Sequence, residues 1–192
     1  MKKKYTPLYF VKRVVLILGL FAAVGLLYFK GTYNPVACVI EGVEDYDPAR
    51  DKQHIINLFN EDHYWLTVND DYDIEHMLNT HSPNKYETRY FGKMPIKVIR
   101  DNGQVAAWST YYMRSIYEGK ILFVDVHPEY RKKRYARRLM QFAECDLRRQ
   151  GAHKVTLATR TSNKAAQVAY ERMGYTKSGI SEGFVYYEKK LK

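Results

Sequence analysis

Cysteine is almost missing from this chain. Cys38 and Cys145 are the only two among 192 residues. They are too few for a disulfide framework, and without a CxxC or Cys/His cluster no zinc site is expected. The simplest reading is two free thiols in a reducing compartment. No internal repeat and no low-complexity tract occurs, so neither an array nor a polar tail is expected. Long apolar runs are absent as well, with one exception at the N-terminus. What the chain has in excess is positive charge: 31 Lys and Arg against 21 Asp and Glu, a formal net charge of +10. The excess is clustered, in Lys2, Lys3, Lys4, Lys12 and Arg13 at the start and in Arg131, Lys132, Lys133, Arg134, Arg137 and Arg138. Such clusters suit nucleic acid, anionic lipid or a phosphorylated small molecule.

The exceptional run is Val14 to Phe29, which contains no charged residue. Its 16 positions cover roughly 24 Å as a helix, short of the ~30 Å hydrocarbon core. Counting back to Leu8 completes a span if Lys12 and Arg13 reach the headgroups. The expectation is a single-pass anchor over residues 8–29 within an N-terminal segment 1–30, a linker 31–35 and one domain over 36–192. A cleaved signal peptide and a core helix are the competing readings, and the lack of a polar face counts against the core helix. The basic N-terminus would stay in the cytoplasm and send the domain to the far side. A cytoplasmic cofactor supply would favour the opposite side.

Beyond the linker, the pattern predicts a strand over Val36–Val43, a helix from Asp47-Pro48 to about Phe59, and a short helix over Tyr72–Leu78. Strands follow at Ile96–Arg100, Gln104–Met113 and Lys120–His127, the first two joined by the hairpin signal Asn102-Gly103. Ala136, Leu139, Met140, Ala143 and Leu147 share one helical face that Gly151 terminates. A strand over Lys154–Thr159, a helix capped by Ser162 or Asn163 and stopped by Gly174, and a strand over Phe184–Glu188 complete the order. The fold class is α/β with a mixed central sheet.

Chemistry concentrates in Val126–Arg138, VHPEYRKKRYARR. Here a strand runs through a turn into a helix whose N-terminus is ringed by cations. The helix dipole is already positive at that end, so Arg137 and Arg138 oppose it. The arrangement makes sense if a multiply charged anion docks on the free N–H groups. A solvated basic face and a nucleic-acid patch are the bland alternatives. Only Tyr130 and Tyr135 interleave the cations, which is little for nucleic acid.

The block resembles the acetyl-CoA motif R/Q-x-x-G-x-G/A of the GNAT N-acetyltransferases, with Arg131 at the first position and Ala136 at the last. Arg134 stands where the family has its first glycine, and Lys132 where many members carry another. Since arginine does not adopt positive φ cheaply, a tighter loop or a negative φ is expected there, with the extra guanidinium pairing to a phosphate. A second block, NKAAQVAYERMGY, is similar to the family's N-x-x-A-x-x-x-Y-x-x-x-G-[FY] through Asn163, Ala166, Tyr170, Gly174 and Tyr175.

The resemblance implies a GNAT-type sheet and an acetyl group moved from acetyl-CoA to a primary amine by direct attack, with no metal. It implies cofactor contacts from Val124, Asp125 and Val126, from Arg131, Lys132, Lys133, Arg134, Tyr135, Ala136 and Arg137, and from Asn163. The Val126 N–H would polarise the thioester carbonyl, and Tyr170 would be the general acid. Glu118 is the preferred base, with a water-relayed proton as the equal alternative, since Ala158 stands where some relatives carry a glutamate. Strand alternation puts Lys120, Leu122, Val124 and Val126 on one face and Asp125 and His127 on the other. The acceptor pocket is expected from His63, Tyr64, Trp65, Tyr111, Tyr112, Arg114, Tyr186 and Tyr187. A CoA-binding module without turnover and a lipid-surface adaptor are the rival readings.

Overall fold

The computed structural model describes residues 37–67, 71–83 and 89–192. The predicted anchor over residues 8–29 and the linker 31–35 lie outside them. Among the described residues no helix is long and apolar enough to cross a membrane. Cys38–Lys192 form one compact unit.

The elements run β1 (Glu44–Asp45), α1 (Pro48–Leu66), α2 (Ile74–Thr80), β2 (Ile96–Asp101), β3 (Gln104–Met113), β4 (Glu118–Val126), a single 3-10 turn (Pro128–Tyr130), α3 (Tyr135–Arg149), β5 (Lys154–Arg160), α4 (Lys164–Arg172), β6 (Thr176–Ser181) and β7 (Phe184–Lys190). Among the described residues seven strands form one sheet in the order β1-β2-β3-β4-β5-β7-β6. Every pairing is antiparallel except β4 with β5. This is the mixed α/β sheet expected. Two expectations fail in detail. The predicted strand over Val36–Val43 is absent across its described residues 37–43, and the first strand is instead the short Glu44–Asp45. The edge strand β6 was not foreseen, because all six of its residues are exposed and no apolar alternation marks it.

Helices cover both faces. On one, α1 and α2 bury Ile55, Phe59, Met77 and Leu78 against Val98, Trp108 and Phe123. On the other, α3 buries Met140, Ala143 and Leu147 against Tyr111, Ile121, Val155 and Tyr187. The packing is tight at Gly119, where an added Cβ would lie 2.6 Å from Leu147 Cδ1. A larger residue there would push α3 off the sheet.

The two cysteines are not free thiols. Cys38 and Cys145 form a disulfide across 107 residues of sequence, their Cα atoms 5.8 Å apart. It pins the segment before β1 to α3, where the Arg138 guanidinium also donates to the Glu41 carbonyl. Sequence spacing carries no trace of this contact, since only the folded sheet brings the two residues together.

Candidate active site

Strands β4 and β5 are paired only at their starts, Glu118 with Lys154, Gly119 with Val155 and Lys120 with Thr156. Beyond Lys120 the two strands part, and the main chain of β4 faces an opening. The direction of its polar groups can be read from its other side. His127 N donates to Ala106 O of β3 at 3.0 Å, so residue 127 points toward β3. Main-chain groups alternate along a strand, so Val126 and Val124 direct their N–H and C=O away from β3, into the opening. Consistently, the Val126 carbonyl accepts from Arg131 Nε at 3.0 Å.

The expected alternation of side chains is broken by a bulge. Thr110 pairs with Phe123 and Tyr111 with Ile121, leaving Leu122 as the extra residue. Leu122 and Phe123 both pack on the α1 side, whereas Ile121 and Val124 pack on the α3 side. Lys120 and Leu122 therefore share a face with Asp125, not with Val124 and Val126. A one-residue insertion reverses every side chain beyond it.

The opening leads to the start of α3, which differs from the other helix starts. Asp47, Asp73 and Asn163 cap α1, α2 and α4 by accepting from Ala49 N, His76 N and Ala166 N. The N-cap of α3 is Arg134 at φ 65°, with no side-chain cap and no acidic residue in the first turn. From Lys132 to Arg137, six consecutive N–H groups have no acceptor among the described residues. Lys132 also has positive φ, at 67°. The expectation of negative φ at Arg134 is thus overturned. The turn keeps the glycine conformation without the glycines, and each such residue costs of order 1 kcal/mol. Successive N–H groups in such a turn form an anion-binding concavity at the positive end of the helix dipole.

Not every cation of the cluster is available to a ligand. Lys133 pairs with Asp101 at 2.9 Å, and Tyr135 donates to the same carboxylate at 2.9 Å. The Lys133 ammonium, and after it the Tyr135 hydroxyl, hold Asp101 below the usual carboxylate range. Arg131 pairs with Asp62 of α1 at 2.7 Å. Lys132, Arg134 and Arg137 make no ion pair among the described residues. Ala136 adds only its N–H, which its small side chain leaves open to approach.

Tyr170 of α4 packs against Tyr175 and Tyr187, with ring centroids 6.2 and 5.7 Å away. Burial, then the neighbouring Tyr187 and Asp125, push its hydroxyl up to about 12. Asp125 is 5% exposed, and its Oδ2 has no hydrogen-bond partner. Burial, then the adjacent Asp62 carboxylate, push it up to about 7. Among the described residues Asp125 thus forms no ion pair with the cations of the turn, although Arg131 and Lys133 there are held by Asp62 and Asp101.

One expected site residue lies at the closed end of the strand pair. Glu118 lies in the paired part of β4, where it accepts from Thr156 Oγ1 at 3.0 Å and pairs with Arg114 and Lys154 at 3.5 and 3.6 Å. At about 3.3 Å per strand residue it is roughly 20 Å from Val124. Its carboxylate thus sits where the strands are still paired, with its oxygens already engaged. Asn163 caps α4 through its Oδ1, which leaves its amide N–H donors to a ligand. Of the expected acceptor pocket, Tyr111 and Tyr187 are core residues bonded to Asp146 and Glu171, and Tyr112 is buried. Tyr64, Trp65 and Tyr186 are exposed, with the Arg160 guanidinium 4.0 Å from the centre of the Tyr64 ring. A separate groove beside the C-terminal half of α3 includes Glu144, Arg148 and Lys189. Its Glu144 is already bonded to Tyr175 and Lys189, and it holds none of this machinery. Sequence reasoning missed Asp62 and Trp108, for nothing distinguishes an acidic residue on α1 or one more aromatic in β3 until the fold juxtaposes them with Asp125.

A parted strand pair that opens onto an uncapped, cation-ringed helix start defines a site for a ligand with a polyanionic head and an extended, amide-bearing arm. Acyl-CoA has this form. The acetyltransferase (GNAT) family model matches residues 52–175, and the chain belongs to that family. It is an acyltransferase, with acetyl-CoA as its co-substrate. Solved structures share the fold at low identity. Salmonella typhimurium yncA, solved with its cofactor acetyl-CoA, has a TM-score of 0.60 at 19% identity over 78% of this chain and 93% of that one. The ribosomal-protein-S18-alanine N-acetyltransferase of Escherichia coli has 0.57 at 16%, over 78% and 93%. The ribosomal-protein-alanine N-acetyltransferase of Brucella melitensis has 0.60 at 17%, over 78% and 99%. A comparison with curated proteins finds no match.

Proposed function

We propose that the chain moves an acetyl group from acetyl-CoA to a primary amine by direct attack, on a domain tethered to a membrane through residues 8–29. The observation that carries the cofactor side is the run of six unsatisfied N–H groups, Lys132 to Arg137, at the head of α3. The phosphates bind there, with Lys132, Arg134 and Arg137 as counter-charges. The pantetheine arm lies along β4 and takes the main-chain groups of Val126 and Val124. That arm is about as long as four strand residues, roughly 13 Å, so the thioester reaches past Val126. Its carbonyl oxygen then lies nearer the Val124 N–H than the Val126 N–H, and Val124 is the better donor for developing negative charge. The amine nitrogen attacks the carbonyl carbon, the carbon–sulfur bond breaks, the leaving sulfur takes a proton from the Tyr170 hydroxyl, and the nitrogen gives up its extra proton through water, which restores that hydroxyl. Burial, which pushes that hydroxyl up to about 12, keeps it protonated at neutral pH before the reaction.

The membrane tether rests on the uncharged run Val14–Phe29. We assign the domain to the non-cytoplasmic side, supported by the basic N-terminus and by the Cys38–Cys145 disulfide, which belongs to an oxidising compartment. Protease added to intact cells should then digest the domain, and thiol alkylation without reductant should label neither cysteine. A protected domain with two reactive thiols reverses the assignment. The catalytic reading is tested by thiol release from acetyl-CoA with a panel of amines. Tyr170→Phe should lower kcat about a hundredfold with the cofactor Kd unchanged, and an unaltered kcat removes the acid role.

A further inference from the structure

The end of α1 is tied to both of the strands that part. On the β4 side Asp62 pairs with Arg131 at 2.7 Å. On the β5 side the Arg160 guanidinium donates to two main-chain oxygens of the α1 exit, that of Tyr64 and, at 3.0 Å, that of Thr67. Carbonyls at a helix C-terminus lack intrahelical donors, and a cation there suits the helix dipole. The same guanidinium lies 4.0 Å from the centre of the Tyr64 ring and 5.3 Å from that of Phe184. Arg160 is itself held by the start of α4: its carbonyl accepts from Asn163 N at 3.0 Å and from Gln167 Nε2 at 3.2 Å. One side chain thus gathers the end of β5, the exit of α1 and the start of β7.

Strands β4 and β5 are last paired at Lys120 and Thr156. Val124 and Arg160 each stand four residues further along, so Arg160 is across the gap from the place assigned to the thioester. The two faces of that gap differ. Tyr170 packs with the cluster on the α3 side, and so do Leu157 and Tyr187. By alternation Ala158, Arg160, Phe184 and Tyr186 face the α1 side. There Ala158 and Tyr186 are exposed, as are Tyr64 and Trp65, whose ring centroids are 4.8 Å apart.

We propose that Arg160 is a positioning residue for the acceptor: it fastens the α1 exit beside the gap, so that Tyr64, Trp65, Phe184 and Tyr186 form a wall for an amine carried on an apolar, aromatic body. This rests on the acetyltransferase reading above and narrows its acceptor. Large rings supply the contact area that such a body can bury. A guanidinium within the wall repels further positive charge, so a polyamine suits the site poorly. Arg160 acts through the main chain that it holds. Lysine in its place keeps the charge but loses both the planar fork that reaches two carbonyls and the flat surface that stacks on Tyr64.

The test is steady-state kinetics of the full chain, in detergent, with acetyl-CoA and two probe amines, 2-phenylethylamine and spermidine. The wild type should favour 2-phenylethylamine in kcat/KM by about tenfold or more. Arg160→Gln should raise the KM for 2-phenylethylamine about tenfold, with kcat within about twofold and the acetyl-CoA Kd unaltered. Arg160→Lys should fall between the two. Of the two tryptophans, Trp108 is buried and Trp65 exposed, so acrylamide quenching reads the α1 exit and should increase in Arg160→Gln. An unchanged KM or unchanged quenching in that variant overturns the proposal, as does an acetyl-CoA Kd that rises in step with KM, or a wild-type preference for spermidine. Trp65→Ala carries the test if Arg160→Gln does not fold: it should raise the same KM several-fold, and an unaltered KM there also overturns the proposal. Thiol release with neither probe overturns the acceptor class, whereas no release with any amine of the wider panel overturns the transferase reading and this one with it.

Discussion

Four helices of this domain begin in two different ways. Helices α1, α2 and α4 start on an aspartate or asparagine whose side chain accepts a first-turn N–H. Helix α3 starts on an arginine in the left-handed region and leaves its N–H groups bare. Omitting a cap forgoes about 1 kcal/mol, and two non-glycine residues at positive φ forgo about as much again each. A fold that caps three helices and leaves the fourth open, at a corner where cations gather, has kept that end for an anion. Stability was given up where binding is needed.

Closing the open start should have the largest effect. Ala136→Asp puts a carboxylate among the free N–H groups and should weaken acetyl-CoA binding about a hundredfold or more, read as loss of the ligand-induced Tm rise. The unliganded protein should hold or gain up to about 1 kcal/mol. A retained Tm rise would mean that the phosphates lie elsewhere. The converse change is Asn163→Ala in α4, which should cost about 1 kcal/mol in denaturant unfolding and leave the acetyl-CoA Kd unaltered. A weakened Kd with unchanged stability would assign Asn163 to the cofactor site instead. Arg134→Gly separates strain from charge. It should raise stability by up to about 1 kcal/mol, offset in part by the greater freedom of glycine in the unfolded chain, and weaken acetyl-CoA binding several-fold.

The smallest effect concerns pH. The Asp125 carboxyl is raised from its unfolded value near 4 to about 7. Its favourable contribution is therefore complete below about pH 4 and is lost as pH rises toward 7, because the unfolded chain releases its proton first. Asp125→Asn should flatten that part of the stability profile. An unchanged profile would show that Asp125 is not perturbed.

Much of this could be read from the chain. The Asn102-Gly103 hairpin was legible because both positions take positive φ, at 52° and 79°. The periodic face of α3 and the basic turn were legible because local spacing encodes them. Strand β6 was not, since an edge strand exposed on both sides carries no alternation. Lys120 and Leu122 were put on the wrong face because a bulge is one uncounted residue, and its position depends on how β3 packs. Glu118 fitted a base by residue type, yet register places it at the closed end of the strand pair.

The sequence by itself determined the elements with strong periodicity, the cationic corner and the two motifs, because these depend on residues a few positions apart. Only the tertiary structure decided that Cys38 meets Cys145, that β4 parts from β5 after Lys120, and that Asp62 comes to rest beside Asp125. Each of those depends on residues many positions apart, held together by a sheet whose pairing and packing no local pattern specifies.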